Sequence, residues 1–229
     1  MKIKLFKEIS AKNAIMGFKG FGYVGYITTM HIITELNAEL IGVIDTIHIP
    51  PYILVKSGII HHPYEIYQYR DILIPVFEDL SVSEETNLLL KKFIEWCINK
   101  GVERFVLVGG LDKSIRTPSD PPVKMIVNNA WIAKFGIPKH ILNEEIRLLG
   151  PLAITFHYAT LLKVPSIGVL AFAEAGIEDL KASAHAVEEI CKLLNLKVST
   201  RTLFEKAVSI EKITRVINQK DDRGTGLYA

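Results

Sequence analysis

Strand-like apolar runs alternate with segments of helical period along most of the chain, and this alternation narrows the possible folds more than any other feature. Residues 14–16 form a short apolar run ending in Gly17. Residues 23–36 follow with helical spacing, placing Tyr23, Ile27, Met30 and Ile33 or Thr34 along one face. The spacing predicts a buried-type strand at 39–45, a half-exposed strand at 65–69 and an apolar strand at 71–77. Ser81 followed three residues later by Glu84 is a capping-box pattern, and it predicts a helix running to about Asn99. A strand at 103–108 ends in Gly109-Gly110, and residues 111–122 form a polar loop with three prolines. Short strands and turns are predicted over 123–141, a helix over 150–163, a strand over 164–172 and an amphipathic helix over 179–194. Thr202 and Glu205 make a second capping box, which predicts a last helix to about Asn218. Such alternation implies an α/β fold, a three-layer α/β/α sandwich with a largely parallel or mixed central sheet.

Composition excludes several classes. Of the 229 residues, 49% are apolar and 23% charged, as in globular proteins, so extended disorder is excluded. The formal charge of +2 gives no electrostatic basis for binding nucleic acid. Mean hydropathy is high, at +0.25. No apolar run approaches the roughly 18 residues that a membrane span needs, so no membrane association is expected. Residues 1–7 alternate Lys with apolar residues like a strand, unlike a signal peptide. Cys97 and Cys191 both fall in predicted helices and read as buried free thiols, which fits a cytoplasmic protein. No linker interrupts residues 1–218, which read as one domain, and 219–229 read as a flexible tail.

Residues 17–25 hold a Gly20-x-Gly22-x-x-Gly25 pattern, with Asp45 twenty residues beyond Gly25 at the end of the next strand. One reading is a dinucleotide fingerprint, with glycines for close phosphate approach and an acid for the ribose. The other is a strand-to-helix turn whose glycines permit tight packing. Bulky Phe21 and Tyr23, and the interval between Gly17 and Gly20, weigh toward the second. The seven histidines show no metal-ligand spacing, and no nucleophile elbow is present. Asp112, Lys113, Arg116 and Asp120 in the 111–122 loop read as a solvated loop rather than a catalytic set. No catalytic residue, cofactor or metal is expected. A P-loop motif is absent too, so any action on a partner is expected to need no ATP.

The end of the chain is more specific. Polar residues 219–226 lead to Leu227, Tyr228 and Ala229. A polar spacer carrying an apolar residue, a tyrosine and a carboxylate suits insertion into a pocket on another protein. Leu227 buries apolar surface, the Tyr228 ring packs while its hydroxyl finds a partner, and the carboxylate meets a cation. Extended, residues 219–229 span roughly 35 Å. The alternative is a frayed end with no role; with 8 tyrosines in 229 residues and 49% apolar residues, a random end shows this pairing about 2% of the time.

The 17–25 glycine segment, the strand ending at Asp45, the strand into Gly109-Gly110, the Gly150-Pro151-Leu152-Ala153 helix start and the 179–196 helix occur in a particular order. In that order, over roughly residues 10–215, the chain resembles the proteasome assembly chaperone two family in its archaeal and bacterial branch. The resemblance implies a phosphorylase/hydrolase-like α/β/α domain with C-terminal helices, a non-enzymatic role and homo-oligomers. It also implies binding to the α-subunits of the proteasome core particle. In that family picture a hydrophobic-Tyr-any tail docks between neighbouring α-subunits, and Leu227, Tyr228 and Ala229 match it position by position.

Overall fold

The computed structural model of the chain describes residues 1–47, 49–80, 83–210 and 212. Among the described residues are ten strands and five helices, before a further helix that begins at 201. The strands are β1 (Lys2–Leu5), β2 (Asn13–Gly17), β3 (Glu39–Asp45), β4 (Leu54–Lys56) and β5 (Ile59–His61), followed by β6 (Tyr64–Tyr69), β7 (Ile72–Phe77), β8 (Arg104–Asp112), β9 (Val123–Val127) and β10 (Ser166–Ala173). The helices are α1 (Val24–Glu35), α2 (Glu84–Asn99), α3 (Asn129–Phe135), α4 (Gly150–Leu161) and α5 (Leu180–Leu194). Eight strands form one sheet in the order β1-β3-β6-β7-β2-β8-β10-β9, while β4 and β5 pair only with each other.

The sheet is mixed rather than largely parallel. β2 runs parallel to β7 and β8, and β8 parallel to β10, whereas the β1–β3, β3–β6, β6–β7 and β9–β10 pairs are antiparallel. Arg70 and Asp71 turn β6 directly back into β7, which sets that antiparallel pair. Pro75 pairs with Ile66 of β6, but it lies beyond the β2–β7 ladder, which stops at the Ala14–Leu73 pair. Proline has no N–H to donate to a second neighbour, so β7 and β2 part toward their carboxyl ends.

Helices cover both faces. Within β2, alternation sends Ile15 into one apolar cluster, with Val24 and Ile32 of α1 and Ala186 and Ile190 of α5. Ala14 and Met16 enter the other cluster, with Leu90, Phe93 and Cys97 of α2 and Ala159 of α4. Thr28 on α1 donates to the Ser183 carbonyl of α5 at 3.2 Å, which ties the two helices together. The three-layer α/β/α architecture is therefore present.

Local signals account for most of the differences from the predicted elements. The cap of α2 is Ser83, whose backbone is extended and whose hydroxyl accepts from the Thr86 N–H, so Glu84 falls in the first turn. The predicted cap, Ser81, lies outside the described residues. The last helix already includes residue 201, which puts Thr202 inside its first turn rather than at the cap. In the 123–141 segment a short helix, α3, follows β9. Asn128 caps it by accepting from the Trp131 N–H at 2.9 Å, and its amide donates to the Val164 carbonyl at 2.8 Å.

Candidate functional site

The glycine turn follows β2 and leads into α1. A Cβ on Gly17 would sit 2.1 Å from the Gly25 carbonyl oxygen, and a Cβ on Gly25 would sit 2.5 Å from the Val108 oxygen. These two glycines therefore let β2, α1 and β8 touch backbone to backbone. Gly22 adopts a left-handed φ of 59°, while Gly20 faces open space. Asp45 is exposed at the end of β3, opposite Lys2 of β1, and β6 and β7 lie between β3 and β2. Strands are spaced about 4.8 Å apart, so Asp45 stands roughly 14 Å across the sheet from the turn. The structure does not bring the four residues of the fingerprint together.

Beside this turn a cleft of about 820 Å³ opens at the carboxyl ends of β2, β8 and β10. The chain leaves β2 toward one side of the sheet and β8 toward the other, so the cleft falls where the strand order reverses, a common ligand position in α/β folds. Phe18, Phe21, Leu111, Ile115, Leu148 and Leu152 give it apolar walls, and Lys19, Asp112 and Arg147 are its charged residues. The described residues lining it include no Ser, Cys or His, so no Ser–His or Cys–His pair stands there. Asp112 instead accepts from the Ser114 N–H at 2.8 Å, which turns the loop. Asp120 is held by Lys124 at 2.7 Å and by the Thr117 N–H and hydroxyl, which lower its pKa to about 2. The acids of the 111–122 loop thus shape the loop.

A buried polar cluster on the β7 side of the turn was not anticipated. The sequence predicts 65–69 as half-exposed, yet Glu65 is only 3% and Glu78 only 5% exposed. The Tyr26 hydroxyl donates to Glu78 at 2.6 Å, and Lys19 and Lys56 each approach that carboxylate at 3.5 Å. Glu65 accepts from the Tyr67 hydroxyl at 2.6 Å and from the His62 N–H at 3.1 Å, with His61 Nδ1 at 3.2 Å. Period-two alternation equates a polar side chain with an outward one, and here it fails because the acids bring buried tyrosine partners. The other missed feature is the β4–β5 hairpin. Its turn, Ser57-Gly58, has φ values of 51° and 78°, the double left-handed geometry of a tight hairpin. The Ser-Gly pair between short apolar runs was the available signal.

Burial and the hydrogen bond to Glu78 push the Tyr26 pKa far above the usual phenol range, and burial and Glu65 do the same for Tyr67. Burial raises Tyr64 to about 12. In the unfolded chain these phenols ionise near pH 10. Above that pH the unfolded state holds fewer protons than the folded one, so stability present below pH 10 is lost as pH rises. We expect urea stability to be flat from pH 7 to 9 and to fall from about pH 10 upward. Absorbance at 295 nm should show a class of tyrosines that ionises only on unfolding. Reversible titration of all 8 tyrosines near pH 10 in the folded chain would contradict this. Cys97 is fully buried and burial pushes its thiol up, so it is unreactive packing, whereas Cys191 is half-buried.

Leu227, Tyr228 and Ala229 lie outside the described residues. Among the described residues, no helix is long and apolar enough to cross a membrane, and no group of three or more His, Cys, Asp and Glu is placed to hold a metal ion.

The profile of the PAC2 family matches residues 14–217. The chain belongs to the PAC2 family. Among solved PAC2-like structures, Pyrococcus furiosus PbaA, an archaeal homolog of proteasome-assembly chaperone, superposes with a TM-score of 0.82 at 24% identity, covering 97% of this chain and 94% of that one. Pyrococcus furiosus PbaB, an archaeal proteasome activator, superposes with a TM-score of 0.79 at 20% identity, covering 95% of this chain and 98% of that one. An uncharacterized protein of Methanocaldococcus jannaschii is 20% identical over 96% of this chain and 88% of its own length. At these identities the structural likeness establishes a shared PAC2 fold.

Proposed function

We propose that this chain is a proteasome-binding protein of the cytoplasm, acting without ATP as an assembly chaperone or activator of the core particle. In this reading residues 1–218 are a docking platform and Leu227, Tyr228 and Ala229 enter pockets between α-subunits. The observation that carries it is the whole-chain likeness to PbaB, an archaeal proteasome activator, and PbaA, an archaeal homolog of proteasome-assembly chaperone. The tail adds an independent chemical reason, because it offers apolar surface, a ring and a carboxylate in three consecutive positions. A binding role, rather than nucleotide chemistry, is also favoured by the packing use of Gly17 and Gly25.

One tripeptide anchor is small, so a single tail binds weakly. Several tails on a homo-oligomer facing a ring of pockets gain roughly 10²–10⁴ in avidity. Truncation before Leu227 should therefore weaken binding to immobilised core particle by about 100-fold or more, consistent with loss of a multivalent anchor. Circular dichroism and melting of the truncated chain should be unchanged. Unaltered affinity after truncation would overturn the tail's role.

A further inference from the structure

The cleft at the carboxyl ends of β2, β8 and β10 has no part in the docking proposed for Leu227, Tyr228 and Ala229. Its floor is apolar, since Phe18, Val108 and Leu111 line it and are all buried. Residues 146–149 form one side of its mouth, and burial alternates along them. Ile146 and Leu148 pack against Leu111, Leu170 and Phe172, which anchors the stretch, while Arg147 and Leu149 are exposed and line the opening. The charged groups of the lining differ in how far they are already engaged. Asp112 accepts from the Ser114 N–H at 2.8 Å, and Lys19 lies 3.5 Å from the buried Glu78. The Arg147 guanidinium makes no ion pair or hydrogen bond with the described residues. One unengaged cation therefore stands beside a large apolar volume.

We infer that this cleft binds a small amphiphilic carboxylate, with its apolar body on Phe18, Val108 and Leu111 and its carboxylate on Arg147. Size, position and charge each support this occupant. The volume of about 820 Å³ lies within the roughly 300–1,000 Å³ of small-molecule sites. The cleft sits where the strand order reverses, the usual ligand position of an open α/β sheet. A planar guanidinium meets a carboxylate through two parallel hydrogen bonds, and Leu149 beside it extends the apolar contact out of the mouth. Charge also limits the head group. Lys19 and Arg147 against Asp112 leave the lining one positive charge in excess, which a single carboxylate balances. A phosphate monoester or a nucleotide brings more negative charge than the lining can balance, and Asp112 opposes the surplus. The chain's own end carries related chemistry, in apolar residues and a carboxylate, so the test separates the two sources.

The probe is dodecanoate, titrated into the full chain below its micelle concentration and followed by calorimetry, with no proteasome present. Dodecanoate should bind with a stoichiometry of one per chain. It should bind at least about 10-fold more tightly than dodecyltrimethylammonium, which carries the same tail and the opposite charge. Arg147→Gln should weaken dodecanoate binding about 10-fold, through loss of one charge-assisted contact. Gly20→Phe should abolish it, because a Cβ on Gly20 meets nothing within 4 Å and the added ring occupies the cleft. Circular dichroism and melting establish that both variants fold. On the unaltered protein, which needs no variant, dodecanoate should slow amide hydrogen exchange at residues 18–21 and 147–152 and leave the exposed apolar hairpin at 53–60 unchanged. Equal affinity for the two amphiphiles, protection at the hairpin instead of the cleft, or folded variants of unaltered affinity would each overturn the inference. Binding that appears only after truncation before Leu227 would overturn it too, because the chain's own end would then be the occupant.

Discussion

Gly25→Ala should cost about 3 kcal/mol of folding stability or more, at the upper end of what overpacking produces. The added methyl would sit 2.5 Å from the Val108 oxygen and 2.6 Å from the Phe18 nitrogen and oxygen. All three are backbone atoms of neighbouring elements, so no side chain can rotate away. Relief requires α1 to move off the sheet, which also breaks the Thr28–Ser183 link to α5. Gly17→Ala should behave alike, because its methyl would meet the Gly25 oxygen at 2.1 Å. Gly20→Ala should change stability by less than about 1 kcal/mol, since a Cβ there meets nothing within 4 Å. Urea unfolding of the three variants checks the pattern. Equal, small effects at all three positions would remove the packing explanation of the glycine turn.

The second large effect is at Glu78. Glu78→Ala should destabilise by about 3 kcal/mol, because the Tyr26 hydroxyl loses a charged acceptor in a buried site. Lys19 and Lys56 soften the loss, being 39% and 42% exposed and so able to recover water. Glu78→Gln retains an acceptor for Tyr26 but not the charge, and should cost about half as much. The carboxylate links the glycine turn through Lys19, α1 through Tyr26 and the hairpin through Lys56. Its loss should therefore loosen the hairpin before the sheet. Hydrogen exchange faster at residues 54–61 than at 104–112 in Glu78→Ala is the expected signature. A uniform increase would mean that Glu78 does not anchor the hairpin.

The sequence made some of this architecture legible and concealed the rest for identifiable reasons. The β2-turn-α1 unit and α5 were readable because their apolar spacing and helix period agree with their tertiary environment. Sheet order was not readable. The antiparallel β6–β7 pair is inserted between β3 and β2; its two-residue turn fixes that pairing but not where the pair sits in the sheet. The burial of Glu65 was not legible, because a polar residue on a strand expected to be half-exposed has two explanations, water or a buried partner. The partners, Tyr67 and His61, were already on the page as neighbours in sequence. Helix α3 escaped because it is seven residues long and carries no sustained period, although Asn128 supplied the start signal. The glycine pattern was legible as a turn, but its resemblance to a fingerprint dissolves once Asp45 is located beyond two intervening strands. The role proposed for Leu227, Tyr228 and Ala229 rests on their chemistry and on the family resemblance, and one measurement tests it directly.

That measurement is native mass spectrometry of the chain mixed with proteasome α-subunits and with assembled core particle, using the intact protein and Tyr228→Ala. The account predicts complexes with the intact chain, and their loss with Tyr228→Ala while the variant keeps its own oligomer. The species that is bound would separate assembly from activation. Complexes of equal abundance with both proteins, or none with either, would contradict the claim that this PAC2 protein acts on the proteasome through its C-terminal residues.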